Sequence, residues 1–202
     1  MQIRSKKDLR IFYKNLRNEM SLSDRKKLDM KIYEKVINLS QYKNCECVLV
    51  YVSSSIEVDT HALIEHSFQA NKIVLAPRCI AGTNLMDFCE ISSFDDLKSG
   101  AFGIMEPKEK CKKAESFGTN SCCIVPALSY DKRGYRLGFG KGFYDRFLDR
   151  YKGYKIGLCY DNCVTDQLPS DNFDKTADCV ITDRDIIYFQ KQINGKDDCK
   201  NE

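Results

Sequence analysis

The sequence predicts an α/β fold: a three-layer α/β/α arrangement with a mixed, largely parallel sheet, entered through an N-terminal helical hairpin. Three observations predict it. Two stretches of helical periodicity open the chain, short continuous runs of β-branched apolar residues follow, and those runs alternate with further helical segments.

Residues 7–39 read as two helices. The first places Leu9, Ile11, Phe12 and Leu16 at helical spacings, with Met20 one turn further on. A break falls near Ser21. Ser23 with Asp24 then offers an N-cap for a second helix in which Leu28, Ile32, Val36 and Leu39 recur every three or four positions. The run CVLVYVSS at residues 47–54 has the pattern of a strand buried on both faces, and its C-terminal end delivers Ser53 to Glu57 into a loop. A helix over residues 60–69 leads to the strand KIVLAP, so strand, helix, strand implies a parallel pair with a right-handed crossover.

LMDFCEI is a third strand, and SFDDLKSG at residues 93–100 reads as a short helix closed by Gly100. After a turn at Pro107, residues 108–121 are charged and aperiodic, hence a surface connection. CCIVPALSYD reads as one more buried strand, and FYDRFLDRYK as a helix. KIGLCYD, DCVITD and DIIYF complete the sheet. One domain over residues 1–190 is expected, followed by a charged, flexible tail at residues 191–202.

The chain has 202 residues, 43% hydrophobic and 30% charged, a composition that supports a packed core and argues against disorder. Its 32 basic and 29 acidic side chains are interspersed, giving +3 overall with no basic stripe, so nucleic-acid binding is not expected. Neither a signal-like apolar run nor a membrane-length one occurs, and a cytoplasmic protein without membrane association is expected, monomeric or weakly self-associating. The eleven cysteines are scattered without a CxxC pair and read as reduced, small apolar residues. His61 and His66, five residues apart, do not share a helix face, so a paired-histidine metal site is not indicated.

The chemistry concentrates in residues 131–145, DKRGYRLGFGKGFYD, between a strand end and a helix start, where open α/β sheets bind ligands. Gly138, Gly140 and Gly142 alternate, which allows a tight backbone whose N–H groups approach an oxyanion, at a helix N-terminus that favours negative charge. Arg136 and Lys141 add a planar fork and a point charge, and Asp145 sits where a carboxylate reaches a phosphate-bound Mg²⁺. The P-loop pattern fails at Tyr135 and Gly142, and the dinucleotide fingerprint fails at Phe143. The alternative is a loop whose glycines only permit turns.

The run VPALSYDKRGYRLGFGKGFYDRFL resembles the signature of the 5-formyltetrahydrofolate cyclo-ligase family, DxxGxRLGxGxGxYD after a proline-containing strand. KKDLR at residues 6–10, VYVSSSIEVDT and VLAPR are similar to further family segments in the same order, so the resemblance spans roughly residues 5–182. It implies a small-molecule enzyme that uses ATP, with Mg²⁺, to phosphorylate the formyl oxygen of 5-formyltetrahydrofolate. The nitrogen at position 10 then attacks the activated carbon, and loss of phosphate leaves 5,10-methenyltetrahydrofolate. Phosphoryl transfer of this kind needs positioning and electrostatic stabilisation and no protein nucleophile.

Carried over by resemblance, Lys6 and Arg10 together with Arg136, Leu137, Gly138, Phe139, Gly140, Lys141, Gly142, Phe143 and Tyr144 hold ATP, Arg136 and Lys141 being the catalytic cations. Val52, Glu57 and the backbone of residues 139–143 contact the folate, and Asp145 with Asp174 holds Mg²⁺. Phe143 stands where many relatives carry tyrosine. Each position has a plainer reading: Lys6 and Arg10 as a solvated helix face, Glu57 as a cap for the following helix, Asp171 or Asp178 in place of Asp174, Arg78 as a surface residue instead of a phosphate contact, and Tyr144 packing the helix instead of stacking on adenine. Two rival functions remain, a phosphate-binding, isomerase-like α/β protein and a non-catalytic folate or nucleotide binder that regulates another enzyme.

Overall fold

The computed structural model describes residues 5–100 and 103–189, so the expected tail lies outside the described residues. Helix α1, Lys6–Asn18, opens with a capping box in which Ser5 and Asp8 satisfy each other's backbone N–H groups. Helix α2, Leu22–Asn38, is capped by Ser21 and not by Ser23: the Ser21 hydroxyl accepts from Asp24 N–H at 3.0 Å, which puts Ser23 inside the first turn. Leu39 is extended and ends α2, and a short helix absent from the sequence reading, α3 at Ser40–Asn44, follows. Its buried Tyr42 hydroxyl meets His66 and Ser67.

Strand β1 is only Cys47–Leu49, although the apolar run continues to Val52. Val50 N–H still donates to the Leu75 carbonyl, after which Tyr51 and Val52 leave the ladder. Helix α4, His61–Gln69, crosses to β2, Ile73–Cys79, which pairs parallel to β1 as expected. β3, Met86–Ile91, returns antiparallel along the edge. Residues 93–100 do not form the expected helix. Asp96 accepts from both the backbone and the hydroxyl of Ser92, tightening the chain into a single 3-10 turn, and β4, Leu97–Ser99, then pairs with β5, Met105–Pro107.

The run expected as one strand over residues 122–131 is two. β6, Ser121–Val125, ends at Pro126, which has no N–H for the ladder, and β7, Ser129–Asp131, enters a second small sheet with β8, Arg136–Leu137. The remaining elements are α5 at Phe143–Leu148, β9 at Tyr154–Leu158, β10 at Val164–Thr165 beside β7, β11 at Cys179–Ile181 and the antiparallel edge β12 at Ile186–Tyr188.

The main sheet runs β12-β11-β9-β6-β1-β2-β3, with five parallel strands between two antiparallel edges. Alternate residues feed two cores. Val48, Val74 and Ile124 face α1 to α4, whereas Leu49, Leu75 and Val125 face α5 through Phe147 and Leu148. Eight of the described cysteines are buried thiols that fill gaps in these layers. Because the chain moves outward from β1 to β2 and then reappears on the other side as β6, the order reverses between β1 and β6. Crevices at such a reversal open beyond the strands' carboxyl ends.

Buried Arg17 fixes α1 across that opening. Its guanidinium donates to the carbonyls of Ile56, Ala127 and Leu128, which belong to the loops that follow β1 and β6. Helix α1 therefore presents its N-terminal half to the crevice. Among the described residues no helix is long and apolar enough to cross a membrane.

Candidate active site

A cavity of about 520 Å³ fills the crevice. The segment leaving β1 contributes Tyr51, Val52, Ser54 and Glu57, and the end of β6 contributes Pro126. Helix α1 contributes Lys6, Arg10 and Lys14, four residues apart and hence on one face. Residues 136–145 form much of the wall opposite.

The loop of residues 138–142 owes its shape to two glycines in the left-handed region, Gly140 at φ 101° and Gly142 at φ 71°. A side chain at Gly140 would start 3.2 Å from the Arg10 guanidinium carbon, so glycine there also makes room for Arg10, whose Nε donates to the Gly138 carbonyl at 2.9 Å. Gly138 itself has nothing within 4 Å of where a Cβ would stand, leaving its backbone open to close approach. Gly142 is the N-cap of α5 and has no side chain to accept from the first-turn N–H groups. With only six residues, α5 has a weaker end dipole than the sequence reading assumed, and the cations carry more of the electrostatic work.

Those cations sit in defined pairs. Arg136, almost wholly buried, donates to the Asp145 carboxylate at 2.5 Å and to the Lys175 carbonyl at 2.6 Å. Lys6 spans Asp174 at 2.7 Å and Asp171 at 2.9 Å. Burial works against the Lys6 ammonium, but its hydrogen bonds to Asp174 and Asp171 outweigh it and raise its pKa. Lys14 lies over the Phe139 ring, 5.6 Å from its centre.

Asp145 and Asp174 both line the cavity, and Lys175, next to Asp174, donates its backbone N–H towards Asp145 Oδ1 at 3.4 Å. Two hard carboxylates lining one cavity beside the open Gly138 backbone are the kind of donors Mg²⁺ takes, one or two at a time, with phosphate and water completing its shell. Among the described residues no three His, Cys, Asp or Glu side chains converge to hold a metal unaided.

Glu57 is buried, and its Oε2 accepts from the backbone and hydroxyl of Ser54 at 2.9 and 2.8 Å. It does not cap α4: the N-cap is Thr60, whose side chain is hydrogen-bonded to the Tyr51 carbonyl. Tyr144 packs its ring into the α5-side core, yet its buried hydroxyl has no hydrogen-bond partner among the described residues. Burial, then the neighbouring Cys123 and Glu57, pushes this phenol well above its ordinary pKa, so it is a neutral donor. The Cys79 thiol at the cavity wall is pushed up to about 12 by burial and by Glu106, which removes it as a nucleophile.

Every residue assigned by resemblance to ATP, folate or Mg²⁺ lines this one cavity, including Leu137, Lys141 and Phe143. Arg78 does not: its Nη1 donates to the Lys108 carbonyl at 2.9 Å, tying down the connection after β5. The sequence reading missed Lys14 and Glu106. Lys14 was legible, since it continues the four-residue spacing of Lys6 and Arg10; Glu106, just before the turn at Pro107, gave no signal.

Comparison with known proteins places this geometry among relatives. Residues 2–183 match the 5-formyltetrahydrofolate cyclo-ligase family. The mouse 5-formyltetrahydrofolate cyclo-ligase is 30% identical over 88% of this chain and 93% of its own length, and that of Haemophilus influenzae is 25% identical over 86% and 95%. Among solved structures, the 5,10-methenyltetrahydrofolate synthetase of Aquifex aeolicus superposes with a TM-score of 0.80 at 30% identity, covering 98% of this chain and 96% of that one. The Mycoplasma pneumoniae synthetase does so with a TM-score of 0.70 at 26% identity, covering 89% and 99%. With nearly its whole described length accounted for in sequence and in fold, the chain belongs to the 5-formyltetrahydrofolate cyclo-ligase family.

Proposed function

We propose that the chain cyclises 5-formyltetrahydrofolate to 5,10-methenyltetrahydrofolate at the expense of ATP, releasing ADP and phosphate. The observation that carries this reading is the union, in one cavity, of an anion-accepting half and a carboxylate-bearing half. Lys6, Arg10, Arg136 and Lys141 with the open glycine backbone suit a triphosphate, whereas Glu57, with Oε1 unbonded among the described residues, suits the N–H donors of a pterin. A phosphate-binding isomerase would need no second, buried carboxylate half.

In this reading the γ-phosphoryl group passes to the formyl oxygen, the nitrogen at position 10 closes the ring on the activated carbon, and the bond to phosphate breaks. Lys141 and Arg136 stabilise the charge on the transferring group, Arg136 from a buried position fixed by Asp145 and the Lys175 carbonyl and Lys141 from the exposed glycine loop. Arg10, whose Nε donates to the Gly138 carbonyl, braces the glycine loop from α1. Val52, Leu137 and Phe143 supply apolar surface to the ring system, and the Tyr144 ring backs the same cavity with its hydroxyl buried. Asp145 and Asp174 would hold Mg²⁺, which supplies charge neutralisation at the phosphates; their present partners, Arg136 and Lys6, would then meet phosphate oxygens. In this reading the chain is a cytoplasmic enzyme acting on small molecules.

The test is the near-ultraviolet absorbance of the purified protein with 5-formyltetrahydrofolate, Mg²⁺ and ATP. A methenyl band that grows only when ATP is present is expected. Folate binding without a band would replace the enzyme by a regulatory binder, and neither band nor binding would overturn the reading.

A further inference from the structure

Four carboxylates are buried among the described residues: Glu57, Glu106, Asp131 and Asp178. Three are well supplied with donors. Asp131 accepts from the backbone of Arg133, Tyr135 and Leu168 and from the Arg133 guanidinium. Asp178 accepts from the backbone and ammonium of Lys155, and Glu57 from two groups of Ser54. Glu106 is the exception. Its donors come from Cys79 alone: the backbone N–H reaches Oε1 at 3.3 Å, and the thiol, also hydrogen-bonded to the carboxylate, is only a weak donor.

A buried carboxylate so poorly supplied is costly, because it has given up water without gaining equivalent donors. The fold nonetheless makes room for it. Gly100 packs against this side chain, and a Cβ there would stand 2.5 Å from Oε2. Glu106 lies on β5, and with Cys79, Met86 and Ile104 it lines a part of the cavity to which no role has been given. Oε2 has no hydrogen-bond partner among the described residues and is not sealed in protein, so it stays open to a donor that enters the cavity. Uncompensated polar groups of this kind persist where a ligand completes them.

We propose that Glu106 is a substrate-contact residue whose carboxylate accepts a hydrogen bond from an N–H of the reduced pterin and its bridge, as a second acceptor beside Glu57. This rests on the reading of the cavity as a folate site. It divides the labour of the two carboxylates: each meets a different N–H, and an oxidised or N-substituted analogue loses one of them.

The experiment compares wild type, Glu106→Met and Glu106→Gln by calorimetric titration with 5-formyltetrahydrofolate and separately with ATP and Mg²⁺, alongside thermal unfolding without ligand. Methionine keeps length and removes the acceptors. Folate affinity is expected to fall about tenfold to a hundredfold, the range for a hydrogen bond to a charged group, with ATP affinity unchanged and Tm unchanged or higher. Glutamine, which keeps one acceptor oxygen and the shape, should lose about fivefold or more and remains measurable if the methionine variant does not fold. Wild-type folate affinity in both variants would overturn the proposal, as would a lower Tm with folate and ATP weakened alike, the mark of a merely structural carboxylate. Failure of wild type to bind folate would instead remove the site reading itself.

Discussion

The two halves of residues 131–145 look alike as sequence, each with glycine, arginine and aspartate, but they are built for different ends. In the first half the Asp131 carboxylate is saturated by three backbone N–H groups and the Arg133 guanidinium, and the turn closes on itself through Asp131 N–H to the Tyr135 carbonyl. In the second half Asp145 holds Arg136 and a long contact to Lys175 N–H, Gly138 is open, and the cap of α5 has no side-chain acceptor. Saturated polar groups make a fixed base. Undersupplied ones, raised on that base, are what a ligand can complete.

The largest effect should come from breaking the base. Asp131→Ala leaves three backbone N–H groups without their acceptor and frees the largely exposed Arg133 guanidinium, and should cost roughly 3 kcal/mol of stability, nearly all of it from the stranded backbone donors. Urea unfolding measures it, and a loss below a few tenths of a kcal/mol would erase the distinction between the halves.

Changes in the second half should instead show mainly as damaged binding, with Asp145→Asn also weakening the ion pair of buried Arg136. Lys141→Ala is expected to lower kcat/KM for ATP about tenfold to a hundredfold while folate affinity holds, as for loss of one charge-assisted contact; unchanged steady-state kinetics would take Lys141 out of the site. Asp145→Asn should shift the Mg²⁺ titration midpoint upward by about tenfold, with an unaltered titration counting against Asp145 as a ligand. The smallest effect is expected from Tyr144→Phe, which removes a buried hydroxyl without a partner and should raise apo stability by up to about 1 kcal/mol in thermal unfolding. A loss of stability would mean that the hydroxyl is satisfied within the protein.

Much of this was legible in the sequence, for identifiable reasons. Helices α1, α2 and α4 and the parallel pair β1 and β2 follow from apolar spacing, because each buries one face or both against the sheet. The glycine loop and its flanking cations were legible because positive φ and phosphate affinity demand particular residue types. What the sequence hid were events decided by a few hydrogen bonds. The cap fell on Ser21 because its hydroxyl, not that of Ser23, reaches Asp24 N–H. Residues 93–100 turned into a strand because Asp96 reaches back to Ser92. The strand over residues 122–131 divided at a proline whose missing N–H was in plain view but was outweighed by the continuous apolar run. Glu106 was invisible for a different reason: its significance lies in how few donors surround it, a property of the packed cavity and not of any spacing.

The most direct measurement of the account is amide hydrogen exchange across residues 131–145, with and without ATP and Mg²⁺. Residues 131–135 should exchange slowly in both states, because their N–H groups are already bonded within the turn and to Asp131. Residues 138–145 should exchange quickly alone and slow markedly when nucleotide is present. Equal protection of both halves without nucleotide, or a second half indifferent to it, would contradict the claim that this loop is the part of the protein that ATP completes.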